Sequence, residues 1–242
     1  IGKSRLVREL RDRVERDGAV CLEFRCSPYH QNSALQPVIE HLQRVLQWQK
    51  DDTSQTKLSK LHTTLTRYRF PQTDTLALFA TLLSVSQPAD AAPLNLSPQR
   101  QKQKTEEALI AWLSEEAERA PLYCAWEDLH WADPSTLELL GMLLDQTPTN
   151  RLFVLLTSRP ECAPPWGQHG HSSHLPLSRL GKRQVPQMIA QATGGKALPA
   201  EVVQQIVAKT DGVPLFVEEL TKMVLESGLL TETNGHYELS GP

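Results

Sequence analysis

The chain has 242 residues, 40% hydrophobic and 22% charged, with a formal net charge of −3 at pH 7. That length supports one sizeable α/β core and a smaller satellite, and the near-neutral balance gives no electrostatic reason to expect nucleic acid or an anionic membrane as partner. No apolar run approaches the roughly 18 residues of a membrane span, no secretory signal opens the chain, and Cys21, Cys26, Cys124 and Cys162 lack zinc-type spacing, so they read as reduced thiols of a cytoplasmic chain.

Taken in order, Gly2, Lys3 and Ser4 precede an amphipathic helix with Leu6, Val7, Leu10 and Val14 on its apolar stripe and a stop at Asp17-Gly18. A strand is predicted over 19–26, broken by Ser27-Pro28. A helix follows from about Leu35, carrying Val38, Ile39, Leu42, Val45 and Leu46 at helical spacing. Two more helices are predicted over 57–68 and 74–83, separated by Phe70-Pro71, and 84–98 reads as a loop. Ser97 as N-cap and Pro98 at the first helical position open a long helix that buries Leu109, Trp112, Leu113 and Ala117.

A strand over 122–126 then ends in adjacent acids, Glu127 and Asp128. Asp133-Pro134 caps the next helix, with Leu137, Leu140 and Leu144 inward. The apolar run over 152–158 predicts a parallel strand covered on both faces. Residues 162–173 form a loop whose histidines, His169 and His171, together with His174 just beyond, have no carboxylate or Cys to complete a metal ligand set. A short last strand is predicted over 174–177. Beyond Gly181 the pattern becomes helical over 182–192, 200–210 and 214–227, and a hairpin turns at Asn234-Gly235. These readings divide the chain into a core, 1–178, and a smaller helical part, 179–242.

Adjacent carboxylates at the end of a buried strand are where an α/β nucleotide-binding sheet holds Mg²⁺ and positions water. Taken alone they are a solvated loop. Gly2, Lys3 and Ser4 match only the last three positions of the phosphate-binding pattern G-x-x-x-x-G-K-[ST]. Arg159, just after the second apolar strand, reads by itself as a surface ion-pairing residue. It is their order along one chain that points to a nucleotide site.

Five segments carry a family resemblance: IGKSRL over 1–6, RCSPYH over 25–30, EDLHWADPST over 127–136, TSRP over 157–160 and GVPLFVEEL over 212–220. Together they resemble the AAA-type regulatory ATPase module of bacterial multidomain signalling proteins, the signal-transduction ATPases with numerous domains. The resemblance implies a P-loop NTPase parallel sheet, lacking its first strand here, followed by a small helical lid and the start of a winged-helix-like segment. It implies ATP and Mg²⁺ as ligands, with ATP or ADP setting the state of the module. Gly2 and Lys3 would bind phosphate, and Ser4 would bind phosphate and Mg²⁺. Glu127 and Asp128 would serve Mg²⁺ and the attacking water, Arg159 would read the γ-phosphate, and Pro214 would lie near adenine. His130 and Trp131 read as structural. The Glu-then-Asp order reverses the commoner one, which leaves open which acid does which job.

In such proteins the module lies beside class III adenylate/guanylate cyclase, kinase, tetratricopeptide or helix-turn-helix domains, so fused signalling domains are the implied partners. Oligomerisation stays open. The chain starts inside its phosphate loop and stops at Gly241-Pro242, so it is expected to be part of a longer protein, to bind ATP weakly or not at all by itself, and to carry a gap beside the 122–126 strand. Two functions follow for this segment, a slow regulatory ATPase or a nucleotide-gated scaffold with negligible hydrolysis, and a third reading gives the parent an adenylate/guanylate cyclase or transcriptional role.

Overall fold

The computed structural model of the chain describes residues 2–69, 74–88, 94–162, 165–167, 170–233 and 235–240. Ile1, the Phe70-Pro71 break, part of the 84–98 loop, His169, Asn234 and the Gly241-Pro242 end lie outside the described residues. The chain divides into two bodies, Val7–Ser172 and Ile1–Leu6 with Ser173–Pro242.

In the larger body, three parallel strands are ordered β1 (Val20–Arg25), β2 (Leu122–Glu127), β3 (Leu152–Leu156). All six residues of β2 are buried. Alternation sorts them. Tyr123 and Ala125 pack with Val7, Leu10 and Val14 of α1 (Lys3–Arg16), while Cys124 and Trp126 join the larger core formed with α2 (Gln36–Val45), α3 (Ser54–Leu65), α4 (Thr75–Leu82), α5 (Pro98–Arg119) and α6 (Pro134–Gln146). The bulky strand residues have specific seats. Trp126 stacks on Phe24 with centroids 4.0 Å apart, and the Tyr123 hydroxyl donates to the Val7 carbonyl at 3.3 Å.

The helix starts follow their caps. Ser97 Oγ accepts from the Arg100 N–H at 3.3 Å. Asp133 is more deeply used: it accepts from the Thr136 N–H at 3.0 Å, from the Thr136 hydroxyl at 2.5 Å and from the Leu35 N–H at 3.3 Å, so one buried carboxylate fixes the starts of both α6 and α2. On α1, Val7 is buried but Leu6 is 49% exposed, so the apolar stripe is narrower than the pattern predicts.

Three expectations need correction. The 122–126 strand has no gap beside it, because β1 and β3 pair with it on either side. The 152–158 strand is shorter and is not covered on both faces. Among the described residues β3 pairs only with β2, and Phe153 is 55% exposed. Residues 174–177 form no strand, and Leu175 is 75% exposed. An apolar run that lacks a neighbouring strand has nowhere to place its backbone donors and acceptors, so local pattern alone does not make it a strand.

The outer edge of β1 is blunted from α2. The Glu23 carbonyl accepts from Arg44 Nη2 at 3.0 Å and lies 3.3 Å from His41 Nδ1. His41 is buried between the rings of Phe24 and Trp112, and among the described residues its Nε2 has no hydrogen-bond partner. Burial, reinforced by the nearby Arg44 charge, lowers its pKa to about 4.

In the smaller body, α7 (Gln184–Ala192), α8 (Ala200–Thr210) and α9 (Pro214–Glu226) pack around Val185, Ile189, Ile206 and Val217, followed by an antiparallel hairpin of β4 (Leu230–Thr233) and β5 (His236–Leu239). Gly212 precedes α9 at φ +69, and its carbonyl accepts from the Leu180 N–H at 2.8 Å. A Cβ at that position would overlap the Leu180 carbonyl oxygen, so both the backbone angle and the close approach require glycine.

Two outcomes follow. Gly212→Ala lowers the stability of the chain by at least about 2 kcal/mol in urea denaturation, because strain and overlap combine; an unchanged midpoint would contradict the packing described. The second concerns acid. His41 is neutral in both states above its ordinary value of 6.5, and below that the unfolded chain takes up a proton that the folded one refuses. Stability therefore falls as pH drops from 6.5 towards about 4, by at most about 3 kcal/mol. His41→Phe should flatten that part of the curve, whereas an identical slope would assign the loss elsewhere.

Candidate functional site

The register of the parallel pairs brings the carboxyl ends of the strands together. Arg25 lies opposite Glu127, and Trp126 opposite Leu156. Glu127 is the last residue of β2 and follows Tyr123 and Ala125 in the alternation, so it belongs to the face that α1 covers. It is 6% exposed. A buried carboxylate needs a partner, and Arg25 Nη2 donates to Glu127 Oε1 at 3.0 Å. The Arg25 side chain is itself 71% exposed. Hydrogen bonding to Glu127, then the charge of that carboxylate, raises the pKa of the guanidinium. A cavity of about 960 Å³ opens alongside, with Phe24, Arg25, Arg44, Trp48 and Glu127 among its walls.

Asp128 leaves the strand in the left-handed region, at φ 59° and ψ 46°. Its N–H donates to Thr157 Oγ1 at 3.1 Å, and its carbonyl accepts from the Trp131 N–H at 2.9 Å, closing the short 3-10 turn Leu129–Trp131. Two residues beyond Thr157, the Arg159 guanidinium sits 5.4 Å from the centroid of the Trp131 ring, within cation–π range. Thus Glu127, Asp128 and Arg159 belong to two adjoining segments of the larger body.

The remaining residues that the sequence singles out lie at two helix starts. Lys3 and Ser4 open α1, which has no acidic residue in its first turn. Gly2 precedes them at φ +71, and a Cβ there would lie 3.9 Å from Pro214 Cγ. Pro214 opens α9. Gly2 and Pro214 therefore meet within the smaller body.

Arg25 and Thr157 carry no role that the sequence pattern alone reveals. Each lies one residue before the end of an expected strand, but its partner is set by the register between strands far apart in the chain. Burial pushes the thiol of Cys26, next to Arg25, up to about 12, which keeps it protonated at neutral pH.

The AAA ATPase domain family matches residues 1–155, more than half of the 242. The chain belongs to that family. It is also similar to an uncharacterized protein of Rhizobium meliloti (strain 1021), with 27% identity over 229 residues. The alignment covers 94% of this chain and 22% of that protein, so the chain spans about a fifth of the relative's length. No solved structure matches the chain.

An AAA ATPase domain binds a nucleotide, usually with Mg²⁺. The donors fit a magnesium nucleotide, which asks for one or two carboxylates and takes its other ligands from phosphate and water. Glu127 and Asp128 supply hard oxygen donors at the end of the buried strand. Among the described residues no group of three or more His, Cys, Asp and Glu side chains forms a metal cage, and a magnesium nucleotide does not need one.

The Arg25–Glu127 pair in this AAA ATPase domain makes a direct prediction. Arg25→Ala leaves a buried carboxylate without its hydrogen-bonding cation. Because Arg25 is largely exposed to solvent, the loss should be only about 1 kcal/mol. Urea denaturation of Arg25→Ala beside Arg25→Lys checks this, and a midpoint unchanged in both would mean that the pair contributes nothing to the fold.

Proposed function

We propose that this AAA ATPase domain is a regulatory module: it binds ATP with Mg²⁺, hydrolyses it slowly and changes conformation with nucleotide state to control other domains of a longer cytoplasmic signalling protein. The observation that carries the reading is the pair of adjacent carboxylates at the carboxyl end of β2, one of them buried, in a chain of this family. The small share of the relative's length supports a larger parent. No helix among the described residues is long and apolar enough to cross a membrane.

In this reading 1–178 is the P-loop NTPase core and 179–242 is a helical lid leading into a winged-helix-like segment. Gly2, Lys3 and Ser4 hold phosphate at the start of α1, where free backbone N–H groups and the helix dipole favour an anion. Lys3 offsets charge on the β- and γ-phosphates, and Ser4, Glu127 and Asp128 hold the metal. When bound, Mg²⁺ supplies charge neutralisation at the phosphate oxygens. Glu127 serves the metal from within the strand. Asp128, one residue beyond the ladder, orients the attacking water. Arg159 donates a charge-assisted hydrogen bond to the γ-phosphate, and Pro214 packs near adenine.

A second reading, a nucleotide-gated scaffold with negligible turnover, is favoured by one contact. Arg25 already occupies an oxygen of Glu127. Phosphate release by the full-length protein, compared with Lys3→Ala and Asp128→Ala, separates the two. The regulatory ATPase predicts that Lys3→Ala abolishes release and that Asp128→Ala slows it at least about 100-fold. A parent rate no faster than that of Lys3→Ala would establish the scaffold instead, and an unchanged rate in Asp128→Ala would remove the acid from the mechanism.

A further inference from the structure

We infer that Thr157 is a positioning residue for Asp128, its hydroxyl oxygen holding the Asp128 backbone in the left-handed conformation from which that carboxylate works. This rests on the reading that Asp128 assists hydrolysis. Thr157 directly follows β3 and is 8% exposed. Three hydrogen bonds tie it to the acid turn. Its N–H donates to the Trp126 carbonyl at 2.9 Å, its carbonyl accepts from the Leu129 N–H at 2.9 Å, and its hydroxyl oxygen accepts from the Asp128 N–H at 3.1 Å.

The first two are main-chain bonds that almost any residue at position 157 could make. The third needs a side-chain acceptor at this position. It matters because of where Asp128 stands. The parallel ladder from β1 reaches Glu127, whose carbonyl accepts from the Cys26 N–H at 2.9 Å, and the chain then turns away. Asp128 has left the extended conformation for φ 59°, a region that a non-glycine residue enters at a cost and keeps only when its surroundings hold it. Thr157 Oγ1 gives the Asp128 N–H a hydrogen-bond acceptor in that conformation.

The same segment reaches the other end of the turn through Arg159 and the Trp131 ring, 5.4 Å apart. The 157–159 segment thus grips the acid turn at both ends. Thr157 itself acts through Asp128 and touches no reacting atom in this account. The choice of threonine over a residue of equal shape is explained by the hydroxyl: valine would fill the same buried volume and leave the Asp128 N–H without this acceptor.

The test is a double-mutant cycle on the full-length protein, reading phosphate release and ATP affinity for Thr157→Val, Thr157→Ser, Asp128→Ala and Thr157→Val/Asp128→Ala. The expected result is that Thr157→Val lowers kcat about 10-fold or more with KM for ATP within about twofold, while Thr157→Ser restores most of the rate. The double variant should be no slower than Asp128→Ala alone, since a residue that acts only through Asp128 has nothing left to position. If Asp128→Ala is slow but Thr157→Val is not, or the two losses multiply in the double variant, the positioning role is overturned and the hydrolytic reading stands. If Asp128→Ala turns over normally, the hydrolytic reading fails and the proposal fails with it. Should Thr157→Val not fold, Thr157→Ala carries the same comparison, with the same outcomes.

Discussion

Everything proposed for this domain depends on β2. Its six residues are buried, and its backbone is paired on both edges, to β1 and to β3. A strand constrained in this way has no freedom at its end. The position of Glu127 follows from the ladder, and Asp128 becomes the first residue able to turn. The bulky Tyr123 and Trp126 add to that constraint. One ring reaches the backbone of α1 and the other stacks on Phe24, so sliding the strand by one residue would exchange both faces. Chemistry placed at the end of such an element is placed accurately because the packing behind it is tight.

The two acids consequently live in different physical settings. Glu127 is buried, still in the strand and held by Arg25. Asp128 lies outside the ladder, in a conformation held by Thr157. The reversed order of the acids is then less of an obstacle than the one-dimensional motif suggests. The longer side chain sits where the backbone is rigid, and the shorter one sits where the backbone has already turned. Arg25 adds a competing claim on Glu127, the contact that favours the scaffold reading over the hydrolytic one.

Much of the helical architecture was legible in the residues, for identifiable reasons. Ser97 and Asp133 each precede a proline, and both accept the predicted capping bond. Leu109, Trp112, Leu113 and Ala117 keep helical spacing, and all four are buried. The β2 run ends in acids and is a strand because α1 on one face and the larger core on the other cover it. What was not legible depends on partners. Periodicity could not separate Leu6 from Val7. The runs over 152–158 and 174–177 both look apolar, yet among the described residues only the first has a paired neighbour, and that on a single edge. The roles of Arg25 and Thr157 rest on contacts across about 100 and 30 positions of sequence, which local spacing does not encode.

Hydrogen exchange on the full-length protein tests the central claim most directly, by following the amides of Asp128 and Leu129 and of 157–159 with Mg²⁺ and ATP, with Mg²⁺ and ADP, and without nucleotide. The account predicts that protection in these two segments differs between the ATP and ADP states, while the amides within β2 stay equally protected in all three. Protection that is the same in every state at the acid turn and at 157–159, under conditions where ATP is bound, would contradict it.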